Sequence, residues 1–334
     1  MTAVSSHRLE GLEPDNLLAF LALLGLLKAL DLTRPEWKPR AYWDLENAPL
    51  RPVLTTREVT TQDEISKAAI DGLLIFKRAL QPFSWPRSKQ GAAKKTALFF
   101  NKSRQRTLSK RCISALDACT PNSEKRLVWQ LRCDLLACSG ASHPNPKREG
   151  AVDPTPLKLP SGQMTFIGTQ FDLIGHCIPE SICACLFDTW AYAFKGNSLR
   201  FSPDEARRYA YRAADPSPEG SRTELGASAL SGLGLLAFIM SDAQPRWKMV
   251  AYVGTRSEGI IGWPIWGADG GAGASFDTIT AMLRSISPSP MLHYSSLTNL
   301  AHMLATARRY VLDPTQGDYG NIARAKFDFP TKNS

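Results

Sequence analysis

Leu17-Leu18-Ala19-Phe20-Leu21-Ala22-Leu23-Leu24-Gly25-Leu26-Leu27-Lys28-Ala29-Leu30 is a run of 14 residues in which Lys28 is the sole charge. Its length decides its reading. A bilayer span needs about 20 apolar residues, so this run is too short and predicts a core helix. Glu10, Glu13 and Asp15 precede it, the wrong charge sign for a secretory leader. Pro14 suits a first helical position, and Asp15 lies where the helix dipole favours a carboxylate. One stripe is Leu17, Leu21, Leu24 and Lys28, and the next is Leu18, Ala22, Gly25 and Ala29, so nearly every face is apolar. Such a helix is buried on most sides. Arg34-Pro35 ends it.

Outward from this helix, Trp37, Tyr42 and Trp43 predict a strand with Pro-punctuated flanks. Thr61 and Glu64 have capping-box spacing before a helical recurrence of Ile65, Ala69, Leu73, Phe76 and Leu80. Further helices are predicted over 98–116 and 124–138. A Ser-, Pro- and Gly-rich stretch over 139–160 gives a loop. In the second half, 163–173 reads as a strand and 180–194 as a helix. Ser202-Pro203-Asp204-Glu205 reads as a helix start, with Ser202 as N-cap and Glu205 completing a capping box. A close-packed helix or helix pair is expected over 223–238, strands over 248–254 and 263–266, and helices over 276–286 and 295–310. The fold class is α+β, helix-rich, with small β elements in each half. The domain expectation is an N-terminal helix-rich domain (1–140), a linker or long loop (141–160) and a C-terminal, mostly helical α+β domain (161–334).

Charge is unevenly spread. Residues 72–116 contain eleven Lys and Arg and not one Asp or Glu, while the whole chain carries a formal charge of +9. The remainder is therefore slightly acidic, and the positive field belongs to one segment. Trp85, Phe99 and Phe100 lie inside it, with the polar Gln90, Asn101, Ser103 and Gln105. A localised field with planar and amide side chains interleaved suits a phosphate backbone. The predicted nucleic-acid contacts are Lys89, Lys94, Lys95, Lys102, Arg104, Arg106, Lys110 and Arg111. Asn101 and Gln105 are the candidates for base edges, since amides pair with adenine in the major groove. Arg207, Arg208, Arg212, Arg308 and Arg309 are either additions to this track or ordinary surface.

Catalytic signatures are missing from the sequence. There is no Gly-Lys-Ser/Thr phosphate loop, and Gly267-Ala-Asp-Gly-Gly-Ala-Gly273 lacks the dinucleotide spacing. None of the five histidines has a nucleophile system nearby. His176, Cys177, Cys183 and Cys185 are the one group resembling metal ligands, but Cys183-x-Cys185 is tighter than zinc knuckles use, and apolar neighbours make buried thiols the simpler reading. No cofactor or metal is expected. Seven cysteines, an odd number, predict reduced thiols in a cytoplasmic protein without a membrane span.

Two stretches carry a family likeness. Leu9-Glu-Gly-Leu-Glu-Pro-Asp-Asn, continuing to Leu30, resembles the opening of large-subunit-like proteins of type I-G (formerly I-U) CRISPR systems. Residues 252–266, ending Gly-Trp-Pro-Ile-Trp266 and followed by the predicted helix from Phe276, resemble their later Trp-Pro-aliphatic-Trp segment. Ser202-Pro-Asp-Glu-Ala-Arg-Arg-Tyr209 and Asp215-Pro216 are similar to that group as well. The resemblance implies a non-catalytic subunit of an RNA-guided surveillance complex (Cascade). Such a subunit recognises the motif beside the target and helps open the duplex. Its implied partners are guide RNA, target double-stranded DNA, other subunits of the complex and a separate helicase-nuclease. Two alternatives stand beside it: a metal-dependent nuclease whose carboxylates converge only in three dimensions, and a scaffold whose basic segment touches guide RNA or partner proteins.

Overall fold

The computed structural model describes residues 5–81, 102–142, 152–157, 159, 166–205, 222–241, 248–255, 258–268, 273–286, 301–311 and 320–328. The fold is α+β. Its helices are α1 (Leu17–Thr33), α2 (Gln62–Leu80), α3 (Lys102–Asp117), α4 (Glu124–Ser139), α5 (Phe166–His176), α6 (Pro179–Phe187), α7 (Leu225–Gly234) and α8 (Phe276–Ser285). The first sheet holds β1 (Ser5–Arg8), β2 (Arg40–Trp43) and β3 (Pro52–Thr56) in the antiparallel order β1-β3-β2. Three two-stranded ribbons follow: β4 (Gly140–Ser142) with β5 (Val152–Pro154), β6 (Phe194–Lys195) with β7 (Arg222–Thr223), and β8 (Met240–Ser241) with β9 (Lys248–Met249). The largest sheet orders β10 (Tyr252–Gly254), β11 (Gly259–Ile265), β12 (Met303–Val311) and β13 (Gly320–Ile322), and β14 (Lys326–Asp328) also pairs with β12.

The apolar run does form the central helix, and all of its residues from Leu17 to Leu30 except Lys28 are buried. It starts later than Pro14 and Asp15 suggest. Asn16 is the N-cap, its side chain accepting from the Leu18 amide at 3.0 Å. Pro14 and Asp15 are otherwise engaged: the Pro14 carbonyl accepts from the Trp263 indole at 3.0 Å, and the Asp15 carbonyl accepts from the Ala325 amide at 2.8 Å. These bonds tie the entrance of α1 to the large sheet. Phe20 then stacks on Trp263 with centroids 5.8 Å apart.

Helices α1 and α7 approach until backbone meets backbone. A Cβ on Gly25 would lie 2.0 Å from the Leu230 carbonyl oxygen, and one on Gly234 would lie 2.0 Å from that of Leu21. Elements on the two sides of 141–160 therefore share a single buried cluster, which runs from Leu9 to Ile322. The two larger sheets also join. Ala41 exchanges backbone bonds with Ala274 at 2.9 and 2.7 Å, and Trp43 N–H donates to the Trp266 carbonyl at 2.8 Å.

Two expected elements change type. Residues 166–176 form a helix where a strand is expected, because Ile167, Gln170, Leu173 and Ile174 are buried at helical intervals. Residues 303–311 form a strand where a helix is expected. There Ala305, Ala307 and Arg309 are buried and alternate with less buried Thr306, Arg308 and Tyr310. Ala and Arg favour helices, but the pairing of β12 with β11 and β14 overrides that preference. Helix α6 stops at Phe187, short of the expected 194.

Gly25→Ala and Gly234→Ala test the central contact. Replacing glycine in a helix gains up to about 1 kcal/mol in propensity, whereas overpacking against a backbone carbonyl costs about 1–3 kcal/mol. We expect net destabilisation, read as a lower urea midpoint at constant m value. A wild-type midpoint in both variants would show that the two helices have room between them.

Candidate nucleic-acid interface

The basic segment begins where α2 ends. Lys77 and Arg78 occupy the last turn of α2, where cations offset the partial negative charge of a helix C-terminus. The terminal carbonyls are satisfied from another element. Arg132 of α4 donates through Nε to the Ala79 carbonyl at 3.3 Å and through Nη2 to that of Arg78 at 3.2 Å. Its guanidinium also stacks over Trp129, 4.1 Å from the ring centroid. Burial pulls the Arg132 guanidinium below its ordinary pKa. Arg78 in turn reaches Glu124 at the start of α4.

Helix α4 begins at Ser123, whose hydroxyl accepts from the Arg126 amide at 3.2 Å, and its buried side carries Leu131, Leu135, Leu136 and Cys138. It packs against α2 and the turn after α7. Helix α3 leans on α4. Cys112 and Cys119 are buried on its inner side, and Arg126 Nη1 donates to the Leu116 carbonyl at 3.1 Å, closing the hairpin. On the outer side Lys110, Arg111, Ile113 and Ser114 are exposed.

The residues singled out in the sequence divide as follows. Lys102, Arg104, Gln105, Arg106, Lys110 and Arg111 all belong to α3. Lys102, Arg106 and Lys110 recur every four residues, hence along one stripe of the helix. Gln105 lies seven positions before Cys112 in α3. Lys89, Lys94, Lys95 and Asn101 lie outside the described residues, as do Arg207, Arg208 and Arg212. Arg309 is not a surface cation. It is 1% exposed and donates through Nε to the Pro156 carbonyl at 2.8 Å. Arg308 is exposed and pairs with Glu258.

Among the described residues, no group of three or more His, Cys, Asp or Glu is placed to hold a metal ion. Cys177 and Cys185 are buried thiols, and burial pushes Cys177 up to about 12. His176 is exposed, its Nδ1 3.0 Å from the Asp172 carbonyl of its own helix. All seven cysteines are free.

A polar constellation missed by sequence reasoning surrounds the start of α1. Arg324 bridges Glu13, Asp15 and Asp204, the first two at 2.6 and 2.9 Å. Ser202 accepts from Asn16 Nδ2 at 3.1 Å and lies 2.8 Å from the Tyr192 hydroxyl. Glu205 turns inward instead of closing a capping box. Its carboxyl takes hydrogen bonds from the hydroxyls of Ser198 and Thr223. Burial raises Glu205 from 4.5 to about 7, against the opposing effect of those two hydroxyls and of Arg200. Both features need partners more than a hundred residues away or a loop closed in space, so spacing alone does not reveal them.

Comparison of the chain with protein-family models, curated proteins and solved structures finds no match.

Glu205 gives a pH signature. Its folded pKa lies above the unfolded one, so the folded state holds the extra proton between the two values. Stability therefore falls as pH rises from about 4.5 through 7 and levels off above, losing roughly 3 kcal/mol at most. Glu205→Gln removes this dependence. Urea midpoints near pH 5 and near pH 8 measure it. Parallel pH profiles for the two proteins would rule Glu205 out as the source.

Proposed function

We propose that this chain is a non-catalytic, DNA-binding subunit of an RNA-guided CRISPR surveillance complex, with α3 as its phosphate-contacting helix. The observation that carries this reading is the composition and placement of α3. Lys102, Arg104, Arg106, Lys110 and Arg111 fall within ten positions, and no acid appears before Asp117. A solvated surface helix ordinarily mixes both signs, because opposite charges at spacings of three and four stabilise it. A helix with no acid before its last residue forgoes most of that gain, which is intelligible if an external polyanion supplies the counter-charge.

The attachment of α3 favours the same reading. A helix held through α4 to the end of α2 presents its cations at a defined place. On this reading the chain works in the cytoplasm with guide RNA, target duplex DNA, the other subunits of the complex and a separate helicase-nuclease. It recognises the motif beside the target and helps to part the strands. No described helix is long and apolar enough to cross a membrane.

The test is charge reversal on α3, with Arg104, Arg106, Lys110 and Arg111 each changed to Glu. Duplex affinity at moderate salt should fall by orders of magnitude. Loss of four contacts should also make the slope of log affinity against log salt shallower by about 3–4. A refolding control by circular dichroism accompanies it. Unchanged duplex affinity overturns the proposal, and crosslinking of α3 solely to RNA or to protein replaces DNA with that partner.

A further inference from the structure

We propose that a strip of rings and cations, running from the end of α2 to the β6–β7 ribbon, binds single-stranded nucleic acid at a place separate from α3. Its members touch one another in succession. Lys77, in the last turn of α2, lies over the Phe171 ring of α5, 4.7 Å from the centroid. Its Nζ also borders Gly175, where an added Cβ would stand 3.4 Å away. The next residue, His176, has its ring centroid 5.5 Å from that of Phe194 in β6, with the planes at 52°. The Phe194 ring leans over Gly196, where an added Cβ would collide with it, so the ring lies toward the end of the ribbon. There Lys195 and Arg222 stand opposite each other in the antiparallel register.

Two features set this strip apart from ordinary surface. Its rings reach water: Phe171 is 36% exposed and His176 is exposed. Its far end places two exposed cations side by side, and like charges directly opposite destabilise a strand pair. Neither Lys195 nor Arg222 forms an ion pair among the described residues. Asp172, 3.7 Å from His176 Nδ1, is a carboxylate beside the strip, at the other end from that pair. An anion seated between Lys195 and Arg222 turns their repulsion into attraction. Phosphates along a flexible strand supply such anions, and the bases supply flat faces for the rings. A duplex carries the same phosphates but keeps its base faces inside the stack, so the rings select a single strand.

The inference stands apart from the reading of α3, and the variants that test it leave α3 untouched. The full chain is titrated by fluorescence anisotropy with labelled oligouridylate, oligothymidylate and a blunt mixed-sequence duplex of the same length. Phe171→Leu keeps apolar bulk and removes the ring, and should weaken both homopolymers about tenfold, whereas Phe171→Trp should restore them. Lys195→Ala combined with Arg222→Ala removes two phosphate contacts. The slope of log affinity against log salt for the homopolymers should become shallower by about 1.4. The urea midpoint of this double variant should not fall, because a repulsion is removed. Duplex affinity should hold at the wild-type value throughout.

Wild-type homopolymer affinity and salt slope in these variants overturn the proposal. An equal loss of duplex affinity also overturns it, since the strip would then be part of a general positive field. A lowered urea midpoint in the double variant does the same, because the two cations would then serve the fold. Binding of one homopolymer without the other counts against it as well, since rings and phosphate-facing cations do not read the 2′ hydroxyl.

Discussion

Backbone contact between α1 and α7 is the constraint on which the rest of the structure depends. Gly25 and Gly234 let each helix place its surface against a carbonyl of the other, with no side chain between. The gain is dispersion and exclusion of water over a long apolar seam. The cost is that neither position tolerates a side chain. Because α7 stands some two hundred residues after α1, the core closes only when distant parts of the chain meet, a topology of high contact order. Trp263 then joins the large sheet to this pair through Phe20 and Pro14. The stretch around Leu17 and the stretch around Trp263 pack directly on one another. Their pattern is thus a packing signature and says little about what the surface binds.

Much of the helical framework is legible locally because its signals are local. The capping box of Thr61 and Glu64 forms as spaced, with the Glu64 side chain accepting from the Thr61 amide at 2.8 Å. Helices α4 and α8 form close to where they are expected, and the structure adds their N-caps, Ser123 and Ser275. Reading fails where tertiary pairing overrides composition, as in β12, or where β-branched and aromatic residues sit on a helix, as in α5. Ser202 and Glu205 show a reading that is half right: the helix does start at Pro203, with the Ser202 hydroxyl accepting from the Asp204 amide at 3.4 Å, but the capping box does not close. Their spacing is that of a capping box, but Ser198 and Thr223 offer Glu205 hydroxyls in the interior. For the candidate interface, charge is legible and anchorage is not. The acid-free run is plain in the sequence, whereas Arg126 and Arg132 read as two more cations until their carbonyl partners are seen.

The carboxylates near the start of α1 and the cations of α3 stand in different surroundings. Around the start of α1, three carboxylates converge on the single guanidinium of Arg324, and Glu205 is buried beside hydroxyls. A carboxylate left unneutralised at such depth is costly, and raising the Glu205 pKa is the physical response to that cost. The outer face of α3 has the reverse arrangement, with cations in solvent where their self-energy is small.

Anchorage also sets what the basic helix can do. A lysine or arginine on a mobile tail contributes charge but loses chain and rotamer entropy when it docks. Arg132 removes part of that loss in advance. It satisfies carbonyls at the end of α2 that would otherwise need water, and it stacks on Trp129, so its own cation serves structure and is not available to a ligand. Arg126 does the same at the end of α3. Charge in this region thus divides into cations that build the hairpin and cations that the hairpin displays. Only the second group belongs in any count of phosphate contacts, and a salt dependence computed from net charge alone would overstate it.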